Sequence, residues 1–204
     1  MSEIIEIEMR GPVPEDKVGI LKERLKKEAL FVELKNRVLI DYTTFLDGET
    51  IEDRTTDIRI RNTNGTSEII VKTGKWGGSD VRDEFKVQTL DTFDSLVRIM
   101  DLLGYKKGVL CVRNSEVYQL GDVEIALVEV PGHSYYFEAE IETNEGKEHE
   151  LLKSKILTTV SSLGLELFSD EEFYAYIKEL NINANTLFDS AKAPKEYFKE
   201  NFHI

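Results

Sequence analysis

The chain contains one cysteine, Cys111, among 204 residues. A single thiol cannot form an intrachain disulfide or a cysteine-based zinc site. Histidine is nearly as scarce, and His133, His149 and His203 are scattered rather than clustered. No Walker A, Gly-x-Ser-x-Gly or His-Glu-x-x-His pattern occurs, which removes the commonest P-loop, serine-hydrolase and zincin readings. No apolar run approaches the ~18 residues of a membrane span. The opening MSEIIEIEMR lacks the basic-then-apolar order of a signal peptide, so cytoplasm is the expected compartment. Positive charge is also in short supply. Lys and Arg total 26 against 39 Asp and Glu, for a net charge of −13. That balance argues against a general nucleic-acid surface or an anionic-membrane surface, both of which demand a basic face. It does not exclude a local basic pocket for a small polyanion, because a ligand sees only its site.

The remaining composition is that of a globular protein. Hydrophobic residues are 41% and charged residues 32%, enough apolar material for a core and no low-complexity tract. The length suggests one domain with a short appendage. Residues 3–10 alternate polar and apolar and read as a strand, ended by Pro12 and Pro14. A helix follows from Pro14 to about Lys27, with Val18, Leu21 and Leu25 as its apolar stripe. After VELKNRVLIDYTTF and Asp47-Gly48 comes TTDIRIR, and Asn64-Gly65 is a strong hairpin signal joining DIRIR to SEIIVKT. Trp76-Gly77-Gly78 turns into DVRDEFKV. Its plain reading is a hairpin turn, and its alternative is a loop at a cavity mouth that stacks on an organic group. Leu90 to Leu103 reads as a helix, with Gly104 past its end. Strands resume in VLCVRNSEVYQL, VEIALVEV and YYFEAEIET. Helices are expected at about 147–163 and 170–180, the second packed on the sheet. Residues 181–204 have some helical pattern and read as a peripheral tail. Many short strands joined by tight turns predict a closed antiparallel sheet.

Strand residues two apart share a face. Glu6, Glu8 and Arg10 therefore lie opposite Ile5, Ile7 and Met9. Arg59 and Arg61 lie together, as do Arg82, Glu84 and Lys86, and as do Glu138, Glu140 and Glu142. Lys72 and Arg113 sit on similar strands. Taken singly, each of these is the wet face of an antiparallel sheet. Two features of the set point further. Arginine dominates the basic strands, and its planar fork suits bidentate phosphate contact. Glu-x-Glu pairs flank the sheet region, and adjacent carboxylates repel one another unless a cation lies between them. Mg²⁺ binds through a few carboxylates together with substrate phosphates. Carboxylates for metal with arginines for phosphate oxygens make a coherent polyphosphate site.

In this order the motifs resemble those of the CYTH superfamily, the triphosphate tunnel metalloenzymes. Glu6-Ile7-Glu8-Met9-Arg10 is similar to the ExExK signature. Arg59-Ile60-Arg61, Lys72, Arg82-x-Glu84-x-Lys86, a helix, Arg113, and IALVEVPG leading into Glu138-Ala139-Glu140 follow in sequence, over about residues 3–180. The resemblance implies an α+β, β-dominated fold, an eight-stranded antiparallel tunnel with flanking helices. It implies a CYTH-like domain over 1–180 and a helical tail over 181–204. It implies Mg²⁺ or Mn²⁺ held by Glu6, Glu8, Glu138 and Glu140, and a triphosphate held by Arg59, Arg61, Lys72, Arg82, Lys86 and Arg113. Glu6, Glu8 and Arg10 carry the signature of the catalytic strand, and Glu84 would orient basic neighbours or help with metal. The implied reaction is metal-assisted attack of water on a terminal phosphoryl group. The partner is a small polyphosphate or triphosphate, inorganic or organic. A homodimer is left open.

Three positions depart from the family pattern. Arg10 stands for the lysine of ExExK, and an arginine cannot serve as a general base. Cys111-Val112-Arg113 replaces Lys-x-Arg. Val128 falls where an acid is usual; Glu129 points to the opposite face, and Glu124 shares Val128's face and could take its place. These departures keep two further readings alive: a non-catalytic or weakly active polyphosphate- or nucleotide-binding protein, and a class IV-type adenylyl cyclase. Cys111 itself reads as an apolar filler rather than a nucleophile.

Overall fold

The structure is a computed structural model that describes residues 4–46, 48, 50–143 and 149–204. Residue 3 of the first predicted strand, Asp47 of the Asp47-Gly48 turn, and positions 147–148 of the predicted third helix lie outside the described residues. Elements follow in the order β1 (Ile4–Val13), α1 (Glu15–Glu28), β2 (Leu30–Asp41), β3 (Thr56–Thr63), β4 (Thr66–Thr73) and β5 (Ser79–Thr89). Then come α2 (Phe93–Leu102), β6 (Lys107–Leu120), β7 (Val123–Val130), β8 (Ser134–Thr143), α3 (His149–Ser162), α4 (Asp170–Asn183), β9 (Thr186–Asp189) and α5 (Tyr197–Phe202). Among the described residues no helix is long and apolar enough to cross a membrane.

Local chemistry sets several boundaries. Asn64 and Gly65 adopt φ of 51° and 87°, the left-handed pair that a two-residue hairpin needs, and Thr63 faces Thr66 across the resulting turn. Helix α1 starts directly after Pro14, with Glu15 and Asp16 in its first turn and Lys26 and Lys27 in its last, which matches the helix dipole at both ends. Helix α2 begins later than its apolar spacing predicts, because the Thr92 side chain accepts from the Ser95 amide and caps it. Helix α4 opens with a reciprocal capping box between Ser169 and Glu172.

All the strand pairs are antiparallel. The order β2-β3-β4-β5-β1-β8-β7-β6 is closed by pairing of β2 with β6, giving the eight-stranded barrel. Closure removes the exposed edges of the eight. The ninth strand lies beside Lys107–Leu110 of β6, ahead of the stretch that β7 pairs with. One register shift, between Phe31 and Glu33, bends β2.

The layering is inverted relative to an ordinary small barrel. Apolar residues of the strands face outward and are covered by helices. Ile7, Met9, Ile125, Leu127 and Phe137 pack with Val18, Leu21 and Leu25 of α1 and with Ile156 and Val160 of α3. On the other side Ile40 and Ile60 pack with Phe93, Leu96 and Met100 of α2. Phe188 of β9 and Phe198 of α5 complete this second core. Residues 181–204 therefore do more than a peripheral tail would. The pairing of β9 with β6 spans about 80 residues of chain, and local periodicity carries no trace of it. Truncating the fully buried Phe198 to Ala would cost about 3–5 kcal/mol. With the apolar faces turned out, the charged faces turn in.

Candidate active site

Register brings the interior charges together. Glu6 lies opposite Arg82 on one side and Glu142 on the other. Glu8 lies between Asp80 and Glu140, and Arg10 faces Glu138. Lys72 lies between Asp57 and Glu84. Glu6 and Glu8 are each only 3% exposed.

Carboxylate oxygens of Glu6, Glu8 and Glu140 all lie within 4.8 Å of one another. Burial pushes the Glu6 carboxyl up, and Glu8 adds to that more than Lys72 takes away. Burial, then Glu6 and Glu8, holds Glu140 well above the usual carboxylate range. The cluster is thus short of positive charge. Three hard oxygen donors at this spacing fit a divalent cation that also takes phosphate oxygens. Glu138 stands apart from the trio, 3.8 Å from Arg10 Nε.

The cations differ sharply in how firmly they are held. Arg10 donates to Asp80 at 2.8 Å, to the Gly77 carbonyl at 2.8 Å, and to Glu8. Burial would lower its pKa, but Asp80, Glu8 and Glu138 outweigh that and raise it. Lys72 donates to Glu6 and lies 3.1 Å from Glu84. Glu6 and Glu8 likewise overcome burial and hold its ammonium above the usual range. Arg59 donates to Asp57 from Nε at 2.6 Å, and Arg61 to Glu68 at 3.0 Å. Lys86 is 3.2 Å from Glu84 and partly exposed. Arg82 is different. It is sealed between Asp57 at 3.1 Å and Asp80 at 3.3 Å, and it lines neither of the two cavities described below. Of the expected phosphate ligands it is the one the fold keeps in the wall.

Several interior residues went unread in the sequence. Asp57 and Asp80 anchor Arg59, Arg82 and Arg10, and the three arginines Arg59, Arg82 and Arg54 hold Asp57 well below the usual range despite burial. Arg10 and Arg82 do the same for Asp80. Each aspartate sits two residues from an arginine already singled out, so extending the same-face step by one position finds it. Lys35, Arg37 and Asp41 form another such series on β2. At the departing positions, Glu129 points out and bonds Tyr135 and Asn114. Glu124 faces in, opposite Glu140 and 3.1 Å from Lys35.

The interior divides into two connected compartments. A charged one is lined by the carboxylate trio, Lys72, Arg61 and Lys86. A mixed one is lined by Leu39, Cys111, Val128 and Tyr136 together with Arg113, Asp41 and Arg54. Arg10, Arg37, Arg59 and Glu138 line both. Helix α4 roofs the mixed compartment with Phe173, Tyr176, Ile177 and Leu180. Its Asp170 binds Lys75 at 2.7 Å and the Gly78 amide at 3.1 Å, and Tyr174 donates to the Trp76 carbonyl at 2.8 Å. The Trp76-Gly77-Gly78 turn is thereby pinned at the cavity wall. Trp76 is buried, with the Arg54 guanidinium 4.4 Å from its ring. Cys111 is also buried, which pushes its thiol up to about 11 and makes it an inert wall residue.

No family model matches the chain, and no curated protein matches it. Solved structures do. PH1819 protein from Pyrococcus horikoshii OT3 is 23% identical, with a TM-score of 0.69 over 85% of this chain and 99% of that one. PH1012 protein of the same organism is 19% identical, with a TM-score of 0.63 over 82% and 93%. A candidate adenylate cyclase from Vibrio parahaemolyticus is 15% identical, with a TM-score of 0.60 over 86% and 98%. At these identities the likeness is one of fold, and function rests on the site.

Proposed function

We propose that the protein is a metal-dependent triphosphatase. The observation that carries this reading is the trio of buried Glu6 and Glu8 with half-buried Glu140, short of cation and facing a wall of arginines in one tunnel. Glu6, Glu8 and Glu140 would hold Mg²⁺ or Mn²⁺, with Glu138 at the margin. Such an ion supplies charge neutralisation at a phosphoryl oxygen and a more acidic bound water. Arg59, Arg61, Lys72, Lys86 and Arg113, joined by Arg37, bind the polyphosphate. Arg82 supports them from the wall by fixing Asp57 and Asp80.

The chain's own residues perform binding and orientation. Lys72 and Arg10 stay protonated, because their carboxylate neighbours outweigh burial. Neither takes a proton from the attacking water. Their work is to neutralise charge on the transferred group and to keep the carboxylates in place.

A second reading has its own support. Arg10 is committed to Asp80, Glu8 and a backbone carbonyl, and a cation so occupied is poorly free to follow a reacting phosphoryl group. This favours a polyphosphate-binding protein of little or no turnover. Phosphate release from inorganic triphosphate and from ATP, with Mg²⁺ or Mn²⁺, separates the two. The first reading expects turnover that falls at least about 100-fold in Glu6→Gln and Glu140→Gln, the size of loss typical for removing a group that stabilises transition-state charge. Tight binding with no phosphate release supports the second, and cyclic AMP from ATP would replace both with a cyclase.

A further inference from the structure

We infer that a groove on the outside of the barrel, between the end of α2 and the turn after β2, binds a small aromatic carboxylate. The groove is lined by Tyr42, Phe45 and Leu103 together with Tyr105, Lys106 and Lys107. None of these residues lines either interior compartment, and the groove owes nothing to the triphosphate reading. Its apolar side is open to solvent. The Phe45 and Leu103 side chains are exposed. Tyr105 is half-buried, with its ring centroid 6.0 Å from that of Tyr42. Gly104 also borders the groove, and nothing lies within 4 Å of a Cβ built on it. A flat apolar group laid there covers Phe45 and Leu103 and finds tyrosine rings for edge or offset contact.

Two polar features define the rest of the ligand. Tyr42 is only 1% exposed, and its buried hydroxyl has no hydrogen-bond partner among the described residues. A buried donor left unsatisfied costs about 1–3 kcal/mol. Burial, then Asp101, pushes the phenol up, so it keeps its proton and needs an acceptor. Asp101 is not that acceptor, because its two oxygens take Ser190 Oγ at 3.0 Å and the Arg98 guanidinium. The second feature is charge. In a chain of net charge −13, no carboxylate lines this groove among the described residues. Lys106 and Lys107 are exposed on it and form no ion pair among the described residues. Asp189 faces Lys107 across the β6–β9 ladder, yet its carboxylate lies 3.7 Å from Lys192 instead. An apolar wall with a few convergent polar groups is the usual form of a small-molecule site. A carboxylate offers about four lone-pair sites, enough to accept from the lysines and from Tyr42 together. Contact with the sealed hydroxyl needs a side chain to turn aside, and the exposed Phe45 and Leu103 are the ones free to do so.

The test is calorimetric titration of the full chain with 2-naphthoate, and with 2-naphthamide and 2-naphthylmethylamine as its neutral and cationic counterparts. 2-Naphthoate is expected to bind one-to-one, with the amide about 10-fold weaker and the amine weaker still. The Lys106→Gln/Lys107→Gln double variant should cost the carboxylate about 10-fold and leave the amide unchanged. Tyr42→Phe should weaken 2-naphthoate about 3- to 10-fold. Its denaturant midpoint should hold or rise, because the buried orphan donor is gone. Arg113→Gln, inside the tunnel, should leave 2-naphthoate affinity unchanged. No binding of 2-naphthoate overturns the inference, and so does binding no tighter than that of the amide. Affinity that survives the lysine changes, ignores Tyr42→Phe, or is lost with Arg113→Gln overturns it as well.

Discussion

The Lys72 ammonium is seated on the Glu6 carboxylate and donates to both of its oxygens. Glu8 and Glu140 crowd the same carboxylate from the other side. Lys72 is thus the protein's own counter-charge for the acidic trio. Lys72→Met removes it and leaves buried like charges facing one another. Breaking a buried pair from one side costs about 3–5 kcal/mol. Thermal denaturation should show the loss, and added Mg²⁺ should recover more stability in the variant than in the wild type. A variant that melts at the wild-type temperature would contradict this role.

The raised carboxyls give a pH dependence of definite sign. Glu140 and Glu6 have folded pKa values above their unfolded ones. The folded state therefore binds extra protons between the two values, and stability falls as pH rises from the ordinary carboxylate range through the raised folded value. Glu140→Gln should remove that penalty. It should raise the melting temperature at neutral pH by a few degrees, on the scale of about 2–4 °C per kcal/mol for a chain this size, and change little near pH 4. A melting curve for the variant that runs parallel to the wild type across pH 4–8 would exclude the coupling. The same protons must leave when a divalent ion binds, so Mg²⁺ affinity should climb with pH over that window.

Arg37 offers a separation of binding from stability. Its guanidinium faces Arg113 and lacks a carboxylate partner among the described residues. Losing a charge-assisted hydrogen bond to a ligand removes about 1.5–3 kcal/mol. Arg37→Gln should therefore weaken triphosphate binding about 10- to 100-fold, while denaturant midpoints stay level or rise as like-charge repulsion is relieved. Unchanged affinity measured by calorimetry would remove Arg37 from the site.

The turn pinned by α4 has no room for a side chain. A Cβ on Gly78 would stand 2.5 Å from the Phe168 carbonyl oxygen, which is backbone and cannot swing aside. Gly78→Ala should push the turn off α4 and cost about 1–3 kcal/mol, as overpacking does. Chemical denaturation measures the loss, and quenching of Trp76 fluorescence should report the turn's new exposure. A variant as stable as the wild type, with Trp76 still shielded, would show that the turn is loosely held.

What the sequence made legible depended on the range of the interaction. The alternation in Glu6-Ile7-Glu8-Met9-Arg10 and in the later strands was enough to separate a charged face from an apolar one, because a strand's period is local. That the charged face turned inward was readable from the order of motifs resembling a known tunnel, not from periodicity. The trio Glu6, Glu8 and Glu140 was within reach, since all three belong to the Glu-x-Glu pairs. The resemblance puts Arg82 among the phosphate ligands, yet packing buries it between Asp57 and Asp80. The opposition of Arg37 to Arg113 was out of reach: it depends on the register between β2 and β6, more than 70 residues apart, and no local pattern encodes it. The same holds for β9 and for Phe198 in the second core.

On the proposed reading, the interior carboxylates and arginines form one site for a metal-bound triphosphate. Titrating the protein with inorganic triphosphate, with and without Mg²⁺, tests it most directly. Saturable one-to-one binding that tightens at least 10-fold with Mg²⁺ is expected, with loss of that Mg²⁺ dependence in the Glu6→Gln/Glu140→Gln double variant. Binding that ignores Mg²⁺ in the wild type, or the absence of binding under either condition, would contradict it.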